Sequence, residues 1–303
     1  MTGRWVYCGE DWVMRYLILI FRDYSYPYLD RVLADVKTAG TDLIPFLIPS
    51  DEEKAMQALA TMDREQAYIL TDCSEGAALA RQNDVGYIYC DINGNAEPDS
   101  GSQCIIQGFD EINANFILKM YQRFKHLPWT ILSTDRLILR EMTVEDVDRL
   151  YEIYDGEGIT DHTEPLYEDR QQEIEYTKDY IQNMYEFCGY GLWLVVEKEG
   201  GRVVGRAGIT GREGYDEAEL GYVIEKDRQR RGYALEACRA VIGYARDVLE
   251  MKGLNCFVRP GNEASVKLCK LLGFEHLEDT ELSGAGMIRF HLSLKGSPDT
   301  IGF

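Results

Sequence analysis

Along the first 125 residues, short apolar runs alternate with segments whose apolar positions recur every three or four residues. Helical spacing is present in YLDRVLADVKTAG (28–40), KAMQALATM (54–62), SEGAALARQN (74–83) and EINANFILKMYQRF (111–124). Between these lie strand-like runs, LIPFLI (43–48), AYILTD (67–72), GYIYCD (86–91) and CIIQGF (104–109). That alternation predicts a small Rossmann-like α/β unit with a largely parallel sheet. The turn-rich stretch INGNAEPDSGSQ (92–103) reads as a surface loop. The apolar run YLILIF (16–21) is too short to span a bilayer. It follows Glu10 and Asp11 and lacks a small-residue cleavage site, so it does not read as a signal peptide.

Pro128 cannot continue the preceding helix, which puts a boundary there and predicts domains over 1–128 and 129–303. The second half opens with strand RLILREM (136–142). Thr143 follows as an N-cap, with Asp146 three residues on, ahead of a helix over 144–155. A loop (156–169) and a long helix over roughly 170–187 precede three consecutive strand-like runs at 191–200, 202–210 and 218–226. A helix over 234–250, a strand at 255–260, a helix over 262–273 and closing strands near 274–280 and 286–294 complete the half. Adjacent strands exclude a doubly wound pattern here. The expectation is a mixed sheet flanked by helices, so the chain as a whole is of the α/β (α+β) class.

The 303 residues carry 52 acidic against 32 basic side chains, a formal net charge of −20. This balance argues against binding nucleic acid or anionic membrane and favours an amine-bearing partner. Eight cysteines, at 8, 73, 90, 104, 188, 238, 256 and 269, form no CxxC pair, and four histidines are equally scattered. No metal site and no disulfide framework is expected, and reduced thiols in the cytoplasm are the default.

Against that acidic background RQRRGYA (228–234) concentrates three arginines in a turn between a strand and an amphipathic helix. A helix N-terminus offers unpaired N–H groups to an anion, and Gly232 would allow close approach of the backbone. Arginines at a helix start oppose the dipole unless an anion is bound. An ordinary basic loop is the alternative reading.

Gln229-x-x-Gly232-x-Ala234 resembles the Q/R-x-x-G-x-G/A signature of the GNAT N-acetyltransferases. RLILREMTVEDVDRLYEIY, AELGYVIEKDRQRRGYALEA and NEASVKLCKLLGFEH are similar to other stretches of that superfamily in the expected order, over roughly 135 to 295. The branch resembled most is that of the ribosomal-protein alanine acetyltransferases. The resemblance implies a GNAT-like C-terminal domain that uses acetyl-CoA and no metal to acetylate a primary amine, on a small molecule or a peptide N-terminus. It implies main-chain contacts to pantetheine from Tyr222, Val223 and Ile224. Backbone donors from Gln229, Arg230, Arg231, Gly232, Tyr233 and Ala234 would hold the pyrophosphate. Asn262 would reach the pantetheine arm and Ser265 would line the same edge, although Asn262 could equally be a plain N-cap.

Acetyl transfer to an amine needs a proton acceptor. Glu219 matches in position the carboxylate used by many relatives, the alternative being a side chain turned to solvent; Glu217 is less suited. Relatives often place a tyrosine acid seven residues after the asparagine, where this chain has Cys269, a candidate acid or a core residue. Asp161, His162, Glu164, Tyr167 and Glu168 lie where relatives form the acceptor cleft, and Trp193 is expected in the core. In the first half, ILTDCSEGAALARQNDVGYIYC looks like part of a haloacid-dehalogenase-like α/β domain. Asp72 and Glu75 stand in the acidic region of that unit. FRDYS around Asp23 lacks the second aspartate of a D-x-D pair, so a degenerate accessory domain is expected, packing on the acetyltransferase or supporting a homodimer. An acyl-CoA sensor without turnover is the competing function.

Overall fold

A computed structural model describes residues 14–92, 94, 101–102, 104–282 and 284–294. Cys8, Glu10, Asp11 and most of the expected loop at 92–103 lie outside the described residues. The chain divides into two compact units, Met1–Leu127 and Pro128–Phe303.

In the first unit the order is β1 (Tyr16–Phe21), α1 (Leu29–Thr38), β2 (Asp42–Leu47), α2 (Glu52–Thr61), β3 (Ala67–Thr71), α3 (Ser74–Gln82), β4 (Tyr87–Cys90), β5 (Cys104–Ile106) and α4 (Ala114–Phe124). The five strands are parallel in the order β2-β1-β3-β4-β5. YLILIF, which the sequence pattern left unassigned, is β1 and lies between β2 and β3. Its residues alternate between two apolar clusters. Leu17, Leu19 and Phe21 pack with Val32 of α1 and Ile117 of α4, while Ile18 and Ile20 pack with Ala55 of α2 and Ala77 of α3. A strand buried on both faces has no polar alternation, which is why the run is continuously apolar.

The strand order reverses between β1 and β3, where doubly wound sheets open a crevice. Here the carboxylates at that edge are engaged locally. Asp72 accepts from the Arg22 amide at 2.8 Å and from the Tyr26 hydroxyl at 2.7 Å, Glu75 pairs with Arg22 at 2.5 Å, and Asp23 accepts from the Ser25 hydroxyl at 2.6 Å. Ser25 stands where the second aspartate of a D-x-D pair would be.

The second unit contains β6 (Thr130–Ser133), β7 (Leu137–Arg140), α5 (Val147–Tyr154), α6 (Arg170–Tyr180), β8 (Leu192–Glu197), β9 (Val203–Thr210) and β10 (Glu219–Ile224). It continues with α7 (Tyr233–Asp247), β11 (Gly253–Val258), α8 (Glu263–Leu271), β12 (Glu275–Leu282) and β13 (Ala285–Ser293). Its single sheet runs β12-β13-β11-β10-β9-β8-β7-β6. Thr143 and Asp146 form the reciprocal capping box the sequence indicates, on a short 3-10 turn that leads into α5. Two features differ from the sequence pattern. The stretch at the domain boundary contains β6, which pairs with β7. The 170–187 helix is α-helical only to Tyr180 and then widens to π winding over Ile181–Cys188. It ends at Gly189, whose φ of 78° is readily adopted only without a Cβ.

One pairing sets the geometry of this sheet. β10 ladders antiparallel with β9 along all six residues, from Glu219 opposite Thr210 to Ile224 opposite Gly205. With parallel β11 it shares one pair, Glu219 opposite Asn255. The side chain of Asn255, wholly buried, fixes that vertex. Its Nδ2 donates to the Glu217 carbonyl at 2.8 Å and its Oδ1 accepts from Arg289 Nε at 2.9 Å. Beyond it the strands fork. Asn255→Ala would leave the Glu217 carbonyl and the Arg289 guanidinium without these partners. Each buried group left unpaired costs about 1–3 kcal/mol, so urea denaturation is expected to show a loss of about 2 kcal/mol or more. Unchanged stability would mean that the vertex is held by other contacts.

Candidate functional site

The fork opens toward the turn that carries the three arginines. A 3-10 turn at Lys226–Arg228 leads to Gln229, whose Nε2 donates back to the Ile224 carbonyl at 3.0 Å and ties the turn to the strand end. Arg230 has φ 60° and Gly232 has φ 83°, so two positions in three adopt the left-handed conformation. Gly232 is the N-cap of α7 and supplies no side-chain cap. The leading N–H groups of a fifteen-residue helix are therefore left for another acceptor. At φ 83° a side chain on Gly232 is strained, and its Cβ would crowd Arg136 Nη2 at 3.3 Å.

The three arginines are not equivalent. Arg228 is structural: its Nε meets Glu197 at 3.1 Å, and the Tyr233 hydroxyl donates to the same Glu197 oxygen at 2.8 Å. Arg230 and Arg231 are exposed and make no ion pair among the described residues. A further cation, Arg136, braces the turn from the start of β7. It is held by Glu236 of α7 at 2.6 Å, donates to the Arg231 carbonyl at 3.0 Å, and stacks 4.6 Å from the Tyr233 ring centroid. Sequence reasoning missed Arg136 and Glu236 as turn residues. Both sit inside the family-like stretches, but they are 100 positions apart and no local pattern joins them. The turn borders an open polar cavity of about 490 Å³ lined by Arg136, Glu197, Lys198, Arg228, Arg231 and Tyr233.

On the fork itself, Val223 and Ile224 bury their side chains, while the Tyr222 hydroxyl donates to Ser265 Oγ at 2.8 Å. Burial pushes the Tyr222 phenol well above its ordinary range. The Ser265 amide donates to Asn262 Oδ1 at 3.1 Å, so Asn262 is the N-cap of α8 and its Nδ2 is not used in that cap. Tyr222, Ser265 and Asn262 thus form one continuous edge.

Glu219 is buried rather than turned to solvent. Its Oε2 accepts from Arg212 Nε at 2.6 Å, and Arg212 also lies 3.6 Å from Glu164. Burial raises the Glu219 pKa above the ordinary carboxylate value, and the Arg212 guanidinium opposes that rise. Glu217 is engaged with His291 at 2.8 Å. Of the loop residues, Glu164 alone reaches this group. Asp161, His162, Tyr167 and Glu168 are exposed, and the loop is anchored by side-chain donors, Arg259 Nη1 to the Asp161 carbonyl and the Tyr151 hydroxyl to the Tyr167 carbonyl. Cys269 lies in the core with its Sγ 3.4 Å from Cys256 Sγ. That contact and burial raise the Cys256 thiol, while the same contact draws the Cys269 thiol down against burial. Trp193 is fully buried, as its strand position indicates. Among the described residues no cluster could hold a metal, and no helix is long and apolar enough to cross a membrane.

Residues 136–275 match the sequence model of the acetyltransferase (GNAT) domain. The chain is 28% identical over 153 residues to the uncharacterized protein YkkB of Bacillus subtilis (strain 168), covering 48% of this chain and 86% of that one. It is 26% identical over 172 residues to the uncharacterized N-acetyltransferase YoaA of the same organism, covering 55% and 91%. Among solved structures it is similar to a ribosomal-protein-S5-alanine acetyltransferase from Vibrio fischeri, with 14% identity, a TM-score of 0.47 and coverage of 54% of this chain and 96% of that one. Residues 136–275 are a GNAT acetyltransferase domain, and the protein is an acetyltransferase.

The Glu219–Arg212 pair generates a pH prediction. Arg212→Leu removes the opposing charge and leaves burial and the Glu164 charge, both of which raise the Glu219 pKa, so it is expected to rise further. A carboxyl-carbon NMR titration should place the Glu219 transition at higher pH in the variant than in the parent. An unmoved transition would show that Arg212 does not govern the carboxylate.

Proposed function

We propose that the protein transfers the acetyl group of acetyl-CoA to a primary amine by direct attack at the fork of β10 and β11, with Glu219 as the proton acceptor. The observation that carries this reading is the fork itself, opening from a single vertex pair onto a helix N-terminus capped by glycine. The fit to the co-substrate is local. Bare backbone at Gly232, a left-handed Arg230 and unsatisfied helix amides suit a pyrophosphate. Arg230 and Arg231, exposed beside it, would screen its charge. The inner edge of β10 at Tyr222, Val223 and Ile224 has no β11 partner, and apart from the Ile224 carbonyl, which accepts from Gln229, it would pair with an extended amide-bearing arm. Asn262 would donate through the nitrogen its cap does not use, with Ser265 lining the same edge.

Acetyl-CoA supplies an activated acyl carbon whose thiolate can leave. The chain must deliver an uncharged amine, since an alkyl ammonium of pKa about 10 is almost wholly protonated at neutral pH. Glu219 lies beside the vertex, buried, with a raised affinity for protons, which suits a carboxylate that accepts one directly or through water. Arg212 holds it in place, and Glu164 on the same arginine would attract the incoming cation, with Asp161, His162 and Tyr167 around the entrance. Burial and the contact with Cys256 favour a packing role for Cys269 over proton donation. The first unit, with its edge carboxylates already engaged, fits an accessory domain over 1–128.

Gly232→Glu should weaken acetyl-CoA binding at least 100-fold by calorimetry, without loss of helical circular dichroism. Unchanged affinity would overturn the turn assignment. A thiol-release assay across polyamines, aminoglycosides, amino acids and peptide N-termini identifies the acceptor. In that assay Glu219→Gln is expected to lower kcat by about 100-fold or more with little change in KM for acetyl-CoA; an unchanged kcat would remove Glu219 from the chemistry.

A further inference from the structure

Arg259 follows β11 directly, and Pro260 after it holds its backbone extended. The Asn262 amide donates to the Arg259 carbonyl at 3.1 Å, so the residue stands on the same turn that starts α8. Its side chain leaves this turn and crosses to the 156–169 loop. There Nη1 donates to the Asp161 carbonyl at 3.2 Å, a partner 98 positions away. Among the described residues this is the only hydrogen bond the guanidinium makes, and no carboxylate pairs with it. Its Nε is sealed from water without an acceptor. A sealed donor opposes folding, so stability alone does not account for an arginine here.

The same loop touches the other arm of the fork. Gly156 lies against Lys226, the first residue of the turn after β10; a Cβ on it would come within 3.4 Å of Lys226 Cβ. A Cβ on Gly158, at φ 76°, would lie 3.9 Å from Lys226 Nζ. Next along the loop Ile159 buries its side chain, and its carbonyl accepts from the His162 amide at 3.3 Å and the Thr163 hydroxyl at 2.9 Å. These bonds fold residues 159–163 into a compact turn. The parallel strands β10 and β11 part beyond Glu219 and Asn255. A loop that meets Lys226 on one side and Arg259 on the other therefore spans the open end of the fork.

The loop also reaches the acid. Alternation along β11 puts Asn255, Phe257 and Arg259 on one face. The Arg212 guanidinium lies on that face, 5.8 Å from the Phe257 ring centroid, and it is the group that holds Glu219 and meets Glu164.

We propose that Arg259 is a positioning residue for the acceptor: its bond to the Asp161 carbonyl ties the 156–169 loop across the open end of the fork and keeps Glu164 beside Arg212 and Glu219, where the amine is received. Nη1 is spent on the loop, so Arg259 acts through the loop and not on the substrate. Ile159 anchors one end of the exposed stretch and the Tyr151 hydroxyl holds the Tyr167 carbonyl at the other. Between these anchors, Arg259 supplies the hydrogen bond to the β11 arm. The effect on the acceptor rests on the acetyl transfer proposed above; the tie does not.

Amide hydrogen exchange on the full chain tests the tie without any turnover. Arg259→Met keeps an unbranched side chain and removes its donors. It is expected to speed exchange at Ile159 and His162 about 10-fold or more, with β9 and β11 unchanged. Arg259→Lys, which keeps a donor, should restore most of the protection. Equal exchange in the parent and Arg259→Met would overturn the proposal. Steady-state kinetics then use the amine with the highest kcat/KM in the thiol-release panel. Its KM is expected to rise about 5-fold or more in Arg259→Met, to fall back toward the parent value in Arg259→Lys, and to do so with the KM for acetyl-CoA unmoved. An unmoved amine KM, or an equal rise in both KM values, would overturn the positioning role and leave acetyl transfer standing. Thiol release from no amine would sink acetyl transfer, and the exchange result would still decide the tie.

Discussion

The C-terminal unit depends on one incomplete pairing. A parallel strand pair ordinarily continues until one strand ends, because every unpaired N–H and C=O must find another partner. Here β10 and β11 meet at Glu219 and Asn255 and then part. The divergence is tolerated because Asn255 closes the vertex with side-chain bonds to both flanks, and because β9 satisfies β10 along its whole other edge. The remaining edge is left as a short row of backbone groups inside a folded domain, a natural place for an extended ligand to add itself. It also puts a buried carboxylate, Glu219, at the point where that row begins.

Around this opening, carboxylates organise the cations. Glu197 holds Arg228 and Tyr233, Glu236 holds Arg136, and the buried Glu225 takes Arg149 at 2.6 Å and Arg202 at 2.7 Å. These pairs fix the strand ends and the helix start, and they leave two exposed arginines and the helix amides unspent. An acidic chain can therefore present a locally positive turn without a broad basic surface. The excess negative charge elsewhere suits an amine-bearing acceptor. Arg206 differs: it is buried on the same face as Glu219, beside Tyr154, Tyr180 and Tyr185.

What the sequence discloses follows the range of each interaction. The Thr143–Asp146 cap, the glycine at the start of α7 and the alternation of helices and strands are local, and each is legible in a few residues. YLILIF shows only that it is buried; that it lies between two parallel neighbours comes from the sheet. Glu219 is recognisable by its place in a family-like stretch. Its burial and its bond to Arg212 are not, because they require the β9–β10 connection to fold back over the strand. Asn255 within NCFVRP and Arg206 within RVVGRAGIT look like ordinary strand residues. Their surroundings come from distant parts of the chain: Asn255 bonds partners 34 and more positions away, and Arg206 is enclosed with Tyr154, Tyr180 and Tyr185. The π winding after Tyr180 has no local signal, and it carries Tyr185 into the core beneath Tyr180.

Amide hydrogen exchange with and without acetyl-CoA tests the fork most directly. If the open edge of β10 and the glycine-capped helix start grip the co-substrate, slowed exchange should concentrate at Tyr222 to Ile224 and at Gln229 to Leu235, with β9 and the first unit unchanged. Protection that spares both segments, or that falls on the first unit alone, would contradict a binding site at the fork.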